Sequence, residues 1–218
     1  MGKSRTHQIK SIYRNLFRAF GPQHWWPGES PFEVAVGAIL TQNTNWGNVE
    51  RAIGNLKSAN GLNATTLAEM SAQRLADLIR PAGYFNIKAK RLKAFLHFLV
   101  TRYGASMKRM ATRNAGDLRE ELLSVHGIGP ETADSILLYA VGRPVFVIDA
   151  YTKRVLSRHG IMDHNRSYEE FQELFHATIP RDVRLFNEYH ALFVKVGKEY
   201  CKPRPRCAEC PLRELLLP

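Results

Sequence analysis

Apolar residues along this chain recur mostly at helical spacing. Ile9, Ile12, Tyr13, Leu16, Phe17 and Phe20 follow the i, i+3, i+4, i+7 rhythm of one helix face, and Gly21 supplies a C-terminal stop. The segment SPFEVAVGAIL opens with Ser30, places Pro31 at the first helical position and has Glu33 three residues after the serine, which is the pattern of a capping box. Ser167 with Glu170 repeats that pattern ahead of YEEFQELFHATI. NIKAKRLKAFLHFLVTRYG predicts a long basic helix ended by Gly104, and RDVRLFNEYHALFVKVGKEY predicts another. Only VFVI, at 145–148, reads as extended chain, and so short a run makes no sheet. The expectation is an all-α protein of about ten helices.

At 218 residues the chain is long enough for one large domain or two small ones. It shows no internal repeat and no low-complexity linker, so a two-domain split would be a cleft between helical lobes. The opening MGKSRTHQIKSIYRNLF is too densely charged for a signal peptide or an anchor, and no stretch approaches the roughly 20 apolar residues of a membrane span. A cytoplasmic protein is expected, associated with the nucleoid if the source is a prokaryote. Charge then narrows the partner: 31 Lys and Arg oppose 20 Asp and Glu, a formal net charge of +11. Such an excess favours a polyanion, with nucleic acid first.

The stretch VHGIGPETADSILLYA, at 125–140, sets two glycines and a proline before a helix-like apolar run. DLREELLSV before the turn is also helix-like, so HGIG joins two helices. Gly127 and Gly129 give the turn backbone freedom and let a partner come close to the main chain. The NH groups opening the second helix form an anion site that suits a DNA phosphate. In an ordinary helical hairpin the same glycines would only turn the chain.

LLSVHGIGPETADSILLYAVGRPVFVIDAYTKRVLSRHG resembles the helix-hairpin-helix, Gly/Pro-rich loop and aspartate signature of the endonuclease III superfamily of DNA glycosylases. The resemblance implies that the hairpin holds DNA phosphates through backbone NH groups and that Asp149 is catalytic. WWPGESPFEVAVGAILTQNTNWGNVERAI and IRPAGYFNIKAKRLKAF are similar, in the same order, to the 3-methyladenine DNA glycosylase III branch. Members that also cut the strand carry a lysine at the second residue of the helix after the hairpin. Here Glu131 stands in that place, 18 residues before Asp149. A carboxylate forms no imine with a sugar aldehyde, so strand cleavage through this residue is not expected. An acid there also suits the helix dipole without any further role.

DAYTKRVLSRHG makes Asp149 a candidate N-cap as well as the matched catalytic acid. The two readings are compatible, because a carboxylate fixed at a helix start is preorganised. It would stabilise positive charge developing on the sugar and orient or deprotonate water.

All three tryptophans lie in one region, Trp25 and Trp26 beside Pro27, and Trp46 after LTQNTN. A single tryptophan would read as core. The resemblance implies instead that Trp25, Trp26, Pro27 and Trp46 line the pocket for an extruded base. Flat apolar walls stack on such a base, and electron-rich indoles favour the positive charge of N-alkylated purines. A base already positive also leaves without a strong general acid.

Gln42 matches the superfamily's glutamine that fills the gap left in the duplex, and a polar residue at a helix end is its simpler reading. Lys88, Lys90, Arg91 and Lys93 repeat along one helix, either as a solvated basic face or as DNA contacts. Lys153 and Arg154, one turn past Asp149, are expected to meet phosphate.

Three cysteines, Cys201, Cys207 and Cys210, are a poor disulfide framework and a better metal candidate. CKPRPRCAECPLRELLLP resembles the superfamily loop in which four cysteines at C-x6-C-x2-C-x5-C bind a [4Fe-4S] cluster. Here the spacing is C-x5-C-x2-C, with leucine where the fourth would fall, near position 216. Three arrangements remain open: a cluster with a non-cysteine fourth ligand, zinc with a histidine, or a loop without metal.

The resemblance implies a two-lobed all-α fold, with residues 30–143 as a central helical bundle and 1–29 with 144–218 as the second lobe. The expected function is hydrolysis of the N-glycosidic bond of alkylated purines in double-stranded DNA, by a monomer and without lyase activity. The alternatives are an endonuclease III-like glycosylase and lyase, a mismatch glycosylase, and a helix-hairpin-helix protein that only binds DNA.

Overall fold

The computed structural model describes residues 4–215, apart from the side chain of Asn60. Twelve α-helices lie in this range, with no strand among the described residues: α1 (Arg5–Phe20), α2 (Pro31–Leu40), α3 (Trp46–Asn60), α4 (Ala64–Glu69), α5 (Ala72–Leu78), α6 (Phe85–Tyr103), α7 (Met107–Met110), α8 (Ala115–Leu123), α9 (Pro130–Ser135), α10 (Ala150–Arg158), α11 (Tyr168–Thr178) and α12 (Val183–Glu199). VFVI forms no strand and lies in the irregular segment before α10. No described helix is long and apolar enough to cross a membrane.

The chain divides into two compact units, Trp26–Arg143 and Met1–Trp25 with Pro144–Pro218. In the first unit α2 is the innermost helix, every residue from Glu33 to Leu40 being buried. A helix apolar nearly all round is stable only inside other helices, and α2 packs on α6 and on the turn that continues α9. That turn, Ile136–Ala140, is π-helical. Helix α6 lies against α2, α4, α5 and α7.

The second unit is held by aromatic packing. Phe146 stacks on Phe175 at 3.7 Å between ring centres, and Tyr189 stacks on Phe193 at 4.8 Å. Ile9, Ile12 and Leu16 of α1 are fully buried, and the Tyr189 hydroxyl donates to the Ile9 carbonyl at 2.7 Å. Phe17, on the rim of the same stripe, stays 39% exposed.

Local signals explain most helix ends. Ser167 and Glu170 form the full reciprocal capping box, whereas Ser30 caps the Glu33 NH but the Glu33 carboxylate turns to the Glu29 NH and the Lys57 ammonium. Gly104 ends α6 in the left-handed conformation, at φ 58°.

Candidate active site

The hairpin joins α8 to α9. Gly127 takes φ +83°, and a Cβ built there would lie 2.1 Å from the Arg91 Cγ, so both backbone and space demand glycine. Gly129 is different. Its φ of −95° is open to any residue, and nothing lies within 4 Å of an added Cβ. The freedom expected at both glycines is therefore needed only at Gly127, while Gly129 offers uncovered main chain at the N-terminus of α9. Glu131 is exposed in the first turn of α9, and its carbonyl accepts from the Ser135 hydroxyl at 2.7 Å.

Gln42, in the turn after α2, fastens the hairpin from below. Its amide NH2 donates to the Gly127 carbonyl at 3.1 Å and to the Thr132 hydroxyl at 2.9 Å, and its carbonyl accepts from Arg91. For this side chain to enter a duplex, those bonds would first have to break. The ion pair of Arg119 with the fully buried Asp134, at 2.7 Å, ties α8 to α9 from within the hairpin.

The basic run of α6 is not a solvated face. Lys88 is 1% exposed and donates to the carbonyls of Leu40 and Ala82, both at 2.8 Å. Burial, with the nearby Arg91 charge, lowers its pKa to about 8. Lys93 donates to the carbonyls of Ala68 and Met70, at the C-terminal end of α4, and of the four cations only Lys90 is exposed. Three of the four thus satisfy carbonyls or side chains inside their own unit, the ordinary use of a cation at a helix C-terminus.

The indoles of Trp26 and Trp46 meet edge to face at 5.1 Å, and Tyr139 lies 5.0 Å from Trp26 at a 38° tilt. All three rings are half-buried, and Trp26 and Trp46 sit against the bare backbone of Gly37. Pro27 is exposed beside them and, with Trp46, lines an open recess that also carries Glu29, Glu33 and Glu50. Trp25 is half-buried at the end of the other unit. Tyr139 was not expected from the sequence, where it reads as one more apolar position of a helix. The π-helical turn shifts the phase of that helix, a displacement frequent at functional sites and without a sequence signal of its own.

Asp149 caps α10. Its Oδ1 accepts from the Thr152 NH at 2.7 Å, and its Oδ2 lies 3.6 Å from Nε2 of His190 on α12. The residue is 9% exposed. Burial pushes the carboxyl up, but the His190 charge 3.6 Å away and hydrogen bonding from Thr152 outweigh it and hold the acid below its usual value. His190 also escaped the sequence reading, since a histidine on the buried face of an amphipathic helix looks like core.

The two cations after Asp149 have partners inside their unit. Lys153 donates to the Arg166 carbonyl at 3.0 Å and lies over the Phe171 ring. Arg154 donates to the carbonyls of Cys201 at 2.6 Å and Gly197 at 3.3 Å. Through these bonds Arg154 braces the cysteine loop. Cys201 and Cys210 are buried and Cys207 is exposed, all as free thiols. Leu216, where the family's fourth cysteine would fall, lies outside the described residues.

Residues 36–181 match the HhH-GPD superfamily base excision DNA repair protein family. The chain belongs to that superfamily. A Methanocaldococcus jannaschii protein provisionally named a DNA repair glycosylase is 46% identical over 218 residues, all of this chain and 99% of its own length. Endonuclease III of Thermotoga maritima is 29% identical over 206 residues, 94% of this chain and 90% of that protein. Among solved structures, H. pylori 3-methyladenine DNA glycosylase bound to 1,N6-ethenoadenine superposes with a TM-score of 0.77 at 30% identity, covering 90% of this chain and 98% of that one. Endonuclease III in a non-covalent DNA complex gives 0.83 at 22% identity, over 99% and 96%, and shares the all-helical fold of this HhH-GPD protein.

Proposed function

We propose that this HhH-GPD protein is a monofunctional glycosylase that removes alkylated purines from double-stranded DNA. The observation that carries the reading is the cluster of Trp26, Trp46 and Tyr139, three half-buried rings on one unit. Indole and phenol faces attract a cationic, flat base more than a neutral one, and the acids beside Pro27 and Trp46 add to that preference. The H. pylori relative, named for 3-methyladenine and bound to ethenoadenine, supports the same substrate class.

Asp149 is the catalytic carboxylate. Held ionised by His190 and Thr152, it stabilises the positive charge that grows on the deoxyribose as the base departs, and it orients the attacking water. The uncovered main chain at Gly129 and the first turn of α9 receives a phosphate. Glu131 offers no amine, so the product is an intact abasic strand. We also read the cysteine loop as an iron–sulfur site of structural use, from its likeness to the superfamily loop and from three free thiols in one short segment.

The test is base release from duplexes carrying 3-methyladenine, thymine glycol or a mismatch, with borohydride trapping alongside. Release confined to the alkylated duplex, with no trapped covalent complex, is the expected result. Preference for thymine glycol or the mismatch overturns the substrate, and trapping overturns the monofunctional reading.

A further inference from the structure

At the far end of α10 from Asp149 stands His159, 5% exposed. Its Nδ1 lies 2.7 Å from the Val155 carbonyl and can reach that acceptor only by donating, which places the ring proton on Nδ1. Nε2 is then left with its lone pair, shut off from solvent and without a hydrogen-bond partner in the described chain. A buried ring nitrogen whose opposite NH is anchored to a carbonyl is the arrangement of a metal-ligating histidine.

The recess that His159 lines is also lined by Cys201, Cys207 and Cys210. Two of the sulfurs already accept hydrogen bonds, Cys201 from Arg158 at 3.4 Å and Cys210 from the Leu212 NH at 3.5 Å. Hydrogen bonds to sulfur are one of the means by which a protein tunes a bound cluster. Cys207 and Cys210 flank one tight turn, with the Cys210 NH on the Cys207 carbonyl at 3.1 Å. Four donors thus border one space, although the cysteine motif supplies three. No three His, Cys, Asp or Glu side chains among the described residues are gathered to hold one metal ion. A cluster spreads its ligands over separate iron atoms and accepts the wider spacing.

We propose that His159, through Nε2, is the fourth ligand of an iron–sulfur cluster carried by Cys201, Cys207 and Cys210. This assignment rests on reading the loop as a cluster site. It makes α10 a single strut of roughly 14 Å, at 1.5 Å per residue, with a cluster ligand at one end and Asp149 at the other.

The full chain, purified without oxygen, tests this by iron and sulfide content, absorbance near about 400 nm and electron paramagnetic resonance. Wild type should carry about four irons. His159→Leu should lose iron affinity by about 10-fold or more, while His159→Cys restores the iron with a shifted spectrum. Helical circular dichroism of both variants separates ligand loss from misfolding. An unchanged spectrum and iron content in a folded His159→Leu would overturn the histidine assignment and leave the cluster reading standing. If His159→Leu does not fold, a His159→Cys spectrum identical to wild type would overturn it equally. Wild type with zinc alone, or with no metal, would overturn the cluster reading itself.

Discussion

The Asp149 carboxylate stands 3.6 Å from the His190 imidazole, both side chains buried, one at the start of α10 and the other within α12. The pair explains how an acid shielded from water stays ionised. Removing the histidine leaves burial opposed only by Thr152, so the Asp149 pKa rises. In His190→Gln the acid limb of the pH profile for base release should move to higher pH, with the helical spectrum unchanged. Linkage gives the matching stability effect. A depressed carboxylate contributes stability above its unfolded pKa of about 3.9 that is lost as pH falls through the lower folded value, and His190→Gln should narrow that loss.

Asp149→Asn separates chemistry from folding. Asparagine keeps the cap on the Thr152 NH, so the helix should persist, while loss of the charge facing buried His190 should lower thermal stability. Charge stabilisation of the departing sugar disappears, and base release should fall by about 100-fold or more while duplex affinity holds. Single-turnover release and equilibrium binding on one lesion duplex provide the check.

Two glycines two residues apart should respond in opposite ways. Gly127→Ala places a methyl on Arg91 at a positive φ and should cost about 1–3 kcal/mol or more in urea unfolding. Gly129→Ala meets no neighbour and should alter stability by less than about 0.5 kcal/mol. Its DNA affinity should nonetheless drop, because the methyl would stand at the proposed phosphate contact.

Lys88 predicts a pH dependence of the same sense as Asp149, but in an alkaline window. Folded, it releases its proton near pH 8, whereas the unfolded chain keeps that proton to about 10.4. The unfolded state therefore binds more protons across that window, and stability gains with rising pH. Lys88→Met leaves the Leu40 and Ala82 carbonyls without their donor and should destabilise by about 1–3 kcal/mol. The gap between wild type and variant, followed by denaturant unfolding, should widen from pH 8 to pH 10.

The helices, their caps and the hairpin were legible in the sequence because each depends on residues at most a few positions apart. Gly21 and Gly104 stop helices, Ser167 with Glu170 forms the box, and Asp149 begins α10, all as local chemistry requires. The all-α class follows from the same periodicity. What side chains do across the fold was not legible. Lys88 reaches a carbonyl 48 residues away, Gln42 an acceptor 85 away, and Arg154 one 47 away, partners that no local spacing reveals. His190 beside Asp149, Tyr139 beside Trp26, and His159 among the cysteines likewise arise only when packing brings distant segments together. Sequence spacing sets which helices form and where they stop. The partner of each buried charge is set by tertiary packing, because a desolvated polar group takes whatever complementary atom the fold brings within reach.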